Sequence, residues 1–338
     1  MNWPPFLIKR LAGLIVLLVI LSILVFSLSR AIPADPAAMY VGIRAKPDQI
    51  AEMRHQLGLD DPLHIQYLRY MQRLLKGDMG VSFRTHRPVL EDLIEKLPLS
   101  LEIVLWAFML SLIVGMPAGV AAAYRQGSVI DTLVRWFSSA SVSMPVFFFA
   151  LLLQLLFFNW LGWFPLQGRV NAIFEFGEPL PVITHISLID ALISGRIDYF
   201  KSIAWHMVLP TLSLAAIPLG WIARLTRSSL LEVMEQDYIL SARASGISER
   251  VLYFRYGLRN ALSPVLSIVG LSLAMMLLST FYIERIFNWP GIGSYSLLAI
   301  ISLDYPVLMG VTLLIGCIYV LSNTAVDIFR RLIDPRIE

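Results

Sequence analysis

The sequence is dominated by six long stretches that contain no Asp, Glu, Lys or Arg. A helix needs about 20 mostly apolar residues to cross the roughly 30 Å of bilayer hydrocarbon. Lipid offers no hydrogen-bond partner to an exposed peptide group, so such stretches must be helical. The charged fraction of the chain is 15%, whereas soluble proteins carry about 25%. We therefore predict an all-α, polytopic membrane protein with six transmembrane helices, at Leu11–Ser29, Ile103–Tyr124, Trp136–Trp160, Ile203–Ala223, Ala261–Ile283 and Tyr305–Val326.

Prolines and glycines inside these stretches predict where the helices bend and touch. Five prolines should kink or end their helices, namely Pro117, Pro145, Pro210, Pro218 and Pro264. Gly115 and Gly119 lie four residues apart, a spacing that lets a second helix approach closely. We favour a packing seam within the chain over a dimer interface at these two glycines.

The distribution of Lys and Arg predicts that both termini lie in the cytoplasm, because short cytoplasmic connections are enriched in these residues. The inner connections then hold Lys9, Arg10, Arg125, Arg135, Arg224, Arg227, Arg243, Arg250, Arg255, Arg259, Arg330, Arg331 and Arg336. The same rule accounts for the net charge of +3 without invoking nucleic acid. A cleaved signal peptide is the alternative for the first stretch. Its apolar core is longer than the usual length of about 7–15 residues, and no clean small-x-small cleavage site precedes Pro33.

Two outer segments follow from this orientation. In residues 33–98, Pro47 should start a short helix that Gly58 ends, and Asp61 should cap a second helix that Gly77 closes. These helices are too short for an independent core. Residues 161–202 are rich in aromatic residues, Gly and Pro, and either form a packed lid or contact an extracytoplasmic partner.

The longest inner connection, Arg224–Asn260, predicts a helix–turn–helix that we call the elbow. Gly246 supplies a left-handed position that ends one helix, and Ser248 can cap the next. Ala242 and Ala244 beside the turn are small enough to seat in a groove on another protein. The alternative is a solvated loop whose arginines obey only the charge rule.

An ordered set of short motifs resembles the permease subunits of bacterial ABC importers, in particular the first, B-type subunit of the dipeptide/oligopeptide/nickel family. The resemblance covers nearly the whole chain. Its motifs are Ile32–Pro36, Leu57–Asp60, Gly77–Gly80, His206–Pro210, Arg224–Ser229, Asp237-Tyr238, Ala242–Gly246, Leu258–Ala261, Phe287–Gly293, Asp304–Val307 and Asp334–Ile337.

The resemblance implies the fold of a type I ABC importer transmembrane domain. Residues 1–98 would form the first transmembrane helix and an extracytoplasmic helical segment. Residues 99–338 would form a five-helix permease core with a cytoplasmic coupling loop at about 225–260. It also implies a multi-pass protein of the bacterial inner membrane that forms half of a translocation path for dipeptides, oligopeptides or a related solute such as a nickel chelate.

The implied partners are a homologous second permease, two cytoplasmic ABC ATPase subunits, an extracytoplasmic solute-binding protein and membrane lipid. ATP and Mg would be bound by the ATPases, with no cofactor on this chain. The chain contains no Gly-Lys dipeptide, which a phosphate-binding P-loop requires. We therefore predict a non-catalytic subunit that receives its energy through a mechanical contact.

The candidate site residues fall into two groups, and neither is catalytic. Those expected to contact the ATPase are Asp237, Ala242, Arg243, Ala244, Gly246 and Glu249. Those considered for a gate or path are Met144, Arg224, Arg227, Met275 and Met276, although ordinary packing and lipid contact are the favoured interpretations.

The sequence gives little support to other classes of function. The single cysteine, Cys317, excludes an intrachain disulfide and a cysteine zinc site, and the five histidines are scattered. A self-contained carrier or channel is the alternative function, but a proton-coupled carrier needs a chain of ionisable groups in the membrane. A membrane-embedded enzyme would need a catalytic cluster, and none is visible. The substrate stays open.

Overall fold

The computed structural model describes residues 3–31, 35–42, 45–175 and 177–333. Within those ranges the chain is built from helices, with one isolated antiparallel bridge between Val81 and Pro88. Residues 32–34 of the motif Ile32–Pro36 and the whole motif Asp334–Ile337, with Arg336, lie outside the described residues.

Five helices are long and apolar enough to cross a membrane. They are Ile8–Ala31, Val89–Tyr124, Ile197–Met234, Glu249–Ile286 and Tyr305–Ile328. Each contains one of the predicted spans, and most extend well beyond it, because a helix continues past the apolar window wherever its outer turns find polar partners. Five of the six predicted spans are therefore confirmed as helices.

The predicted span Trp136–Trp160 is broken at Pro145, one of the prolines expected to kink or end its helix. Helix α6, Val129–Ser143, and helix α7, Val146–Leu153 with a π-helical continuation to Trp160, meet at an angle of 113°. Pro145 has no N–H to give, and Met144 before it is extended at φ −99° and ψ 133°, as a residue preceding proline prefers. The apolar composition of both halves indicates a membrane segment, but it does not predict the angle between them.

Two compact units make up the chain. The first lies within Met1–Pro98 and Pro290–Val320, and the second within Leu99–Trp289 and Leu321–Glu338. The predicted division into 1–98 and 99–338 stays a prediction.

The first unit contains helices α1 to α4, the start of α5, α14 and most of α15. Their bounds are Trp3–Ala31 for α1, Pro36–Val41 for α2, Pro47–Gln56 for α3, Leu63–Leu75 for α4, Val89–Tyr124 for α5, Ile292–Ile301 for α14 and Tyr305–Ile333 for α15. Its core joins Val89 and Leu93 to Val307 and Val311. A buried Asp92 carboxylate accepts hydrogen bonds from the hydroxyl groups of Thr85 and Tyr295, at 2.7 and 2.8 Å.

Most of the predicted helix starts and ends in the first outer segment are confirmed. Helix α3 starts at Pro47, and the left-handed φ of Gly58 (+65°) and Gly77 (+82°) follows the ends of α3 and α4. The predicted cap is wrong, since Pro62 occupies the position before α4 and Asp61 instead pairs with Arg69 at 2.5 Å.

The second unit contains α6, α7 and six further elements. Their bounds are Ala172–Glu175 for α8, Ser187–Ile193 for α9, Ile197–Met234 for α10, Asp237–Ala244 for α11, Glu249–Val251 for α12 and Leu258–Ile286 for α13. Helix α10 packs against α13, α6 and α7. Pro210 and Pro218 lie inside α10, and Pro264 lies inside α13.

Gly115 and Gly119 of α5 face α10, which confirms the predicted seam within the chain. A Cβ built on Gly119 would lie 2.5 Å from the carbonyl oxygen of Ala223 and 2.7 Å from Cβ of Thr226. On Gly115 it would lie 3.0 Å from the carbonyl oxygen of Leu219. The two helix backbones therefore approach more closely than any larger side chain permits.

Replacing Gly119 by Ala should destabilise the protein by about 1–3 kcal/mol, because the added methyl group is forced against backbone that cannot move aside. Thermal unfolding of the purified protein in detergent measures the loss as a lower Tm. Gly13→Ala is the matched control, since a Cβ there meets no atom within 4 Å. Equal Tm values for the two variants would show that the seam does not stabilise the fold.

Candidate functional site: the elbow and the inner ends of its helices

The elbow begins where α10 ends. Helix α10 runs to Met234, a short break at Glu235 and Gln236 follows, and α11 starts at Asp237. The sequence predicted helical structure up to Ser245 without this break.

The predicted left-handed turn is present at Gly246, with φ at +84°. Its N–H donates to the carbonyl of Arg243 at 3.0 Å, and the N–H of Ile247 donates to the carbonyl of Ala242 at 3.3 Å. These two bonds close the end of α11. Ser248 then occupies the cap position of α12, but its hydroxyl makes no capping bond there. Only the carbonyl of Ser248 takes part, accepting from Leu252 at 3.0 Å.

The second half of the elbow is continuous with a membrane span. Helix α12 passes into a π-helical segment, Leu252–Gly257, and then into α13, so that Glu249–Ile286 forms one helix.

A hydrophobic cluster fixes the base of the elbow. Ile239 of α11 and Leu252 are fully buried against Leu230 and Met234 of α10 and Ala261 of α13. Gly257 lies under the same residues, because a Cβ there would be 2.9 Å from Cδ1 of Leu230. The elbow is thus anchored to α10 and α13 together.

The candidate contact residues divide between this base and the exposed tip. Ala242 is half-buried against the cluster, whereas Ala244 and Gly246 are exposed beside the turn, and Asp237 is exposed at the other end of α11. The tip of the elbow is therefore narrow, because its exposed residues are small, and it is held in place by the buried hydrophobic cluster at its base.

Arg243 and Glu249 hold each other across the turn. The Arg243 guanidinium donates to both carboxylate oxygens of Glu249, at 2.5 and 3.1 Å. The hydrogen bond to Glu249 raises the pKa of Arg243. Both side chains stay accessible, so the pair closes the turn and leaves its charges on the surface.

Among the path candidates, Arg227 has a partner that the sequence did not reveal. Its guanidinium donates to both oxygens of Asp131, at 2.5 and 2.9 Å, and this carboxylate is 1% exposed. Asp131 also accepts the N–H of Gly127 at 2.9 Å. The only available signal was one acid between Arg125 and Arg135 in an otherwise basic connection.

The other path candidates lie in different surroundings. Arg224 is exposed, and Met144 is half-buried at the bend between α6 and α7. Met275 is exposed, whereas the neighbouring Met276 is buried in the core of the second unit. The structure therefore does not bring the five path candidates into one site, and their roles stay predictions.

Two buried carboxylates lie directly next to the charge-free stretches. Glu102 of α5 accepts the N–H of Leu188 at 2.8 Å, and Glu284 of α13 accepts the hydroxyl of Ser100 at 2.5 Å. Burial lowers the pKa of Arg169, and the nearby charge of Glu102 opposes that effect. The helices thus include ionisable groups that the predicted spans stopped just short of.

No group of three or more His, Cys, Asp and Glu side chains suited to a metal ion occurs in the described part of the chain.

Comparison with known proteins places this geometry in a family. A family model described as the inner membrane component of binding-protein-dependent transport systems matches residues 115–338, and a model of the N-terminal part of such components matches residues 4–104. The chain belongs to this family. This permease is a membrane component of an ABC importer, as the motifs of the sequence indicated.

Curated relatives match this permease over almost its full length. A dipeptide transport system permease protein, DppB, of Alkalihalophilus pseudofirmus is 39% identical over 98% of each chain. A di/tripeptide transport system permease protein, DppB, of Pseudomonas aeruginosa is 40% identical over 98% of each chain. A probable D,D-dipeptide transport system permease protein, DdpB, of Escherichia coli is 37% identical over 100% of this chain and 98% of that protein.

A solved structure supports the fold. The MetNI methionine ABC transporter, in an inward-facing conformation, matches with a TM-score of 0.52 over 71% of this chain and 95% of the matched chain, at 15% identity. At that identity the likeness concerns the fold alone. The predicted all-α fold of an ABC importer transmembrane domain is confirmed.

Replacing Asp131 by Asn should destabilise this permease by about 1.5–3 kcal/mol, because Arg227, whose side chain is 19% exposed, loses its charged bidentate acceptor. Thermal unfolding in detergent measures the effect. Arg135→Gln is the control, since Arg135 is exposed and its Nε lies 3.6 Å from the same carboxylate. A Tm loss in Asp131→Asn no larger than in Arg135→Gln would show that the pair does not hold α6 to α10.

Proposed function

We propose that this permease forms half of a translocation path for short peptides, that a homologous second permease forms the other half, and that the elbow couples both to cytoplasmic ATPases. The peptide substrate is supported by the names of the relatives, which describe dipeptide and di/tripeptide transport. Nickel chelates and longer peptides stay within the proposal, since the full-length similarity does not separate them.

The observation that carries the coupling role is the construction of the elbow. Its tip at Ala244 and Gly246 is small and exposed, its base at Ile239 and Leu252 is fully buried, and its second half continues into the span Glu249–Ile286. A groove on an ATPase that holds the tip can therefore move two long helices as one body. A loop that only satisfied a charge rule would need no buried base.

The proposed contact residues follow from this arrangement. Ala242, Ala244 and Gly246 provide the close approach. Asp237 and the Arg243–Glu249 pair lie at the rim, where they can meet charges of the ATPase. Because the pair is already satisfied internally, we expect the small residues to determine the fit and the charges to determine orientation.

Nucleotide chemistry belongs to the partner in this proposal. ATP and Mg would bind to the two ATPase subunits, and this chain would hold no cofactor. An extracytoplasmic binding protein would deliver the substrate. Nucleotide state and elbow position then bias one equilibrium between inward-open and outward-open arrangements of the spans.

We also propose that the elbow and both termini lie in the cytoplasm of a bacterial cell. The higher density of Lys and Arg in the connections that include the elbow supports this orientation.

Replacing Gly246 by Val should abolish co-purification of the ATPase and uptake of a labelled dipeptide. A β-branched residue is strained at a left-handed φ, by at least about 1–2 kcal/mol, so the turn must change shape. Gly246→Asn is the first control, since Asn tolerates this conformation and should keep both readouts.

Gly162→Val is the second control for this experiment. Gly162 is also left-handed (φ +63°) and exposed, with no atom within 4 Å of an added Cβ, but it lies in the segment 161–202. It carries the same strain outside the elbow and should leave ATPase binding intact. Normal uptake and complex yield in Gly246→Val, or uptake by this chain alone in liposomes, would contradict the coupling role.

A single cysteine at Ser248, in a Cys317→Ala background, should react with a membrane-impermeant maleimide only after cells are opened. Ser248 is exposed at the tip, so accessibility depends on the side of the membrane alone. A second cysteine variant at Leu63, which is exposed in the outer segment, should react in intact spheroplasts. The reverse labelling pattern would overturn the proposed orientation.

A further inference from the structure

The first unit contains a cavity of about 380 Å³ that plays no part in the coupling role. The last turn of α1 contributes Phe26 and Arg30, α4 contributes Arg73, and the first turns of α15 contribute Tyr305 and Met309. The end of an apolar span marks the boundary between hydrocarbon and polar headgroups. The cavity therefore opens at the depth where lipid phosphates lie.

The walls of this cavity carry an excess of positive charge. Three arginines line it, against one acid, Asp78. Arg69 is neutralised by Asp61, and the Asp78 carboxylate accepts the N–H of Gly80 at 2.8 Å. Among the described residues, Arg30 and Arg73 have no carboxylate within 4.0 Å. Two like charges facing one cavity repel each other unless an anion lies between them.

Three residues that line the cavity have buried polar atoms without partners. Nε of Arg30, Oε1 of Gln66 and the hydroxyl of Tyr305 are buried, and none has a hydrogen-bond partner in the described part of the chain. A buried polar atom without a partner has lost its hydration uncompensated, and a ligand that bonds to it recovers part of that cost. Burial raises the pKa of Tyr70, which also lines the cavity, to about 12. Its phenol is therefore protonated and able to donate at neutral pH.

These atoms match one kind of headgroup. Guanidinium and phenol groups donate to a phosphate oxyanion, while the free acceptor Oε1 of Gln66 suits a hydroxyl group. The remaining wall is apolar, through Phe26, Phe83 and Met309.

We propose that this cavity binds an anionic glycerophospholipid whose headgroup carries a hydroxyl, of the phosphatidylglycerol type. The phosphate lies between Arg30 and Arg73 and accepts from the hydroxyl of Tyr305. The headgroup hydroxyl donates to Gln66. The bound lipid would hold the end of α1 to α4 and to the start of α15 within this unit.

Native mass spectrometry of the purified full chain tests the proposal, with dioleoylphosphatidylglycerol, dioleoylphosphatidylcholine and inorganic phosphate as probes. The wild type should retain phosphatidylglycerol in preference to phosphatidylcholine. Arg73→Gln and Tyr305→Phe should each weaken that binding roughly tenfold or more, the loss expected for one charge-assisted or otherwise unpaired hydrogen bond. Arg84→Gln is the matched control, since Arg84 is an exposed arginine of the same segment outside the cavity.

Tyr305→Phe separates ligand binding from folding. It removes a buried hydroxyl that has no partner in the described chain, so the Tm without lipid should stay equal or rise. Weaker lipid binding with an undiminished Tm supports the proposal. Equal affinity of all variants for phosphatidylglycerol, or equal binding of phosphatidylcholine, would overturn it. Displacement of the lipid by inorganic phosphate would show that a free anion, and not a lipid, is the ligand.

Discussion

The position of the elbow depends on two helices that are longer than the bilayer hydrocarbon is thick. Helix α10 has 38 residues, about 57 Å at 1.5 Å per residue, whereas the hydrocarbon is only about 30 Å thick. The span that ends at Ile286 is equally long. The surplus turns must lie outside the hydrocarbon, and there Leu230, Met234 and Ala261 pack with the elbow. The hydrophobic effect operates in water and not in lipid, so this cluster can hold the elbow to both helices where packing alone holds the spans.

In the second unit, buried carboxylates likewise lie just beyond the ends of the apolar windows. The apolar windows contain no Asp, Glu, Lys or Arg, but the helices continue into Glu102, Glu284 and Asp131, and each carboxylate is buried. A buried carboxylate is tolerable only when donors surround it. Glu102 has a backbone N–H, Glu284 has a hydroxyl, and Asp131 has a bidentate guanidinium. These groups tie the ends of helices together, while the contact between α5 and α10 depends on the absence of side chains at Gly115 and Gly119.

The sequence predicted those features that depend on local physics. Apolar length indicated the spans, Gly246 indicated the left-handed turn, and Gly119 indicated a close helix contact. It failed where a partner is distant in the chain: Arg227 pairs with Asp131 across 96 residues, and the cavity beside Arg30 includes Tyr305. Pro145 was recognised as a break, but the 113° angle depends on tertiary packing around both halves. The opposite burial of Met275 and Met276 likewise depends on which helix face meets α10, and composition does not encode that.

The shared base of the elbow limits how coupling can work in the proposed function. If the tip were attached to one helix through a flexible loop, a partner could move it without changing the spans. Ile239 and Leu252 are instead fully buried between α10 and α13, so moving the tip alone would expose them at a cost of about 1.5–3 kcal/mol each. Moving both helices with the tip avoids that cost. Coupling is reciprocal, because any arrangement of the spans that shifts these two helices must also change the affinity of the tip for its groove. A substrate that reaches the path can therefore influence the nucleotide cycle through the same buried contacts that transmit force in the other direction.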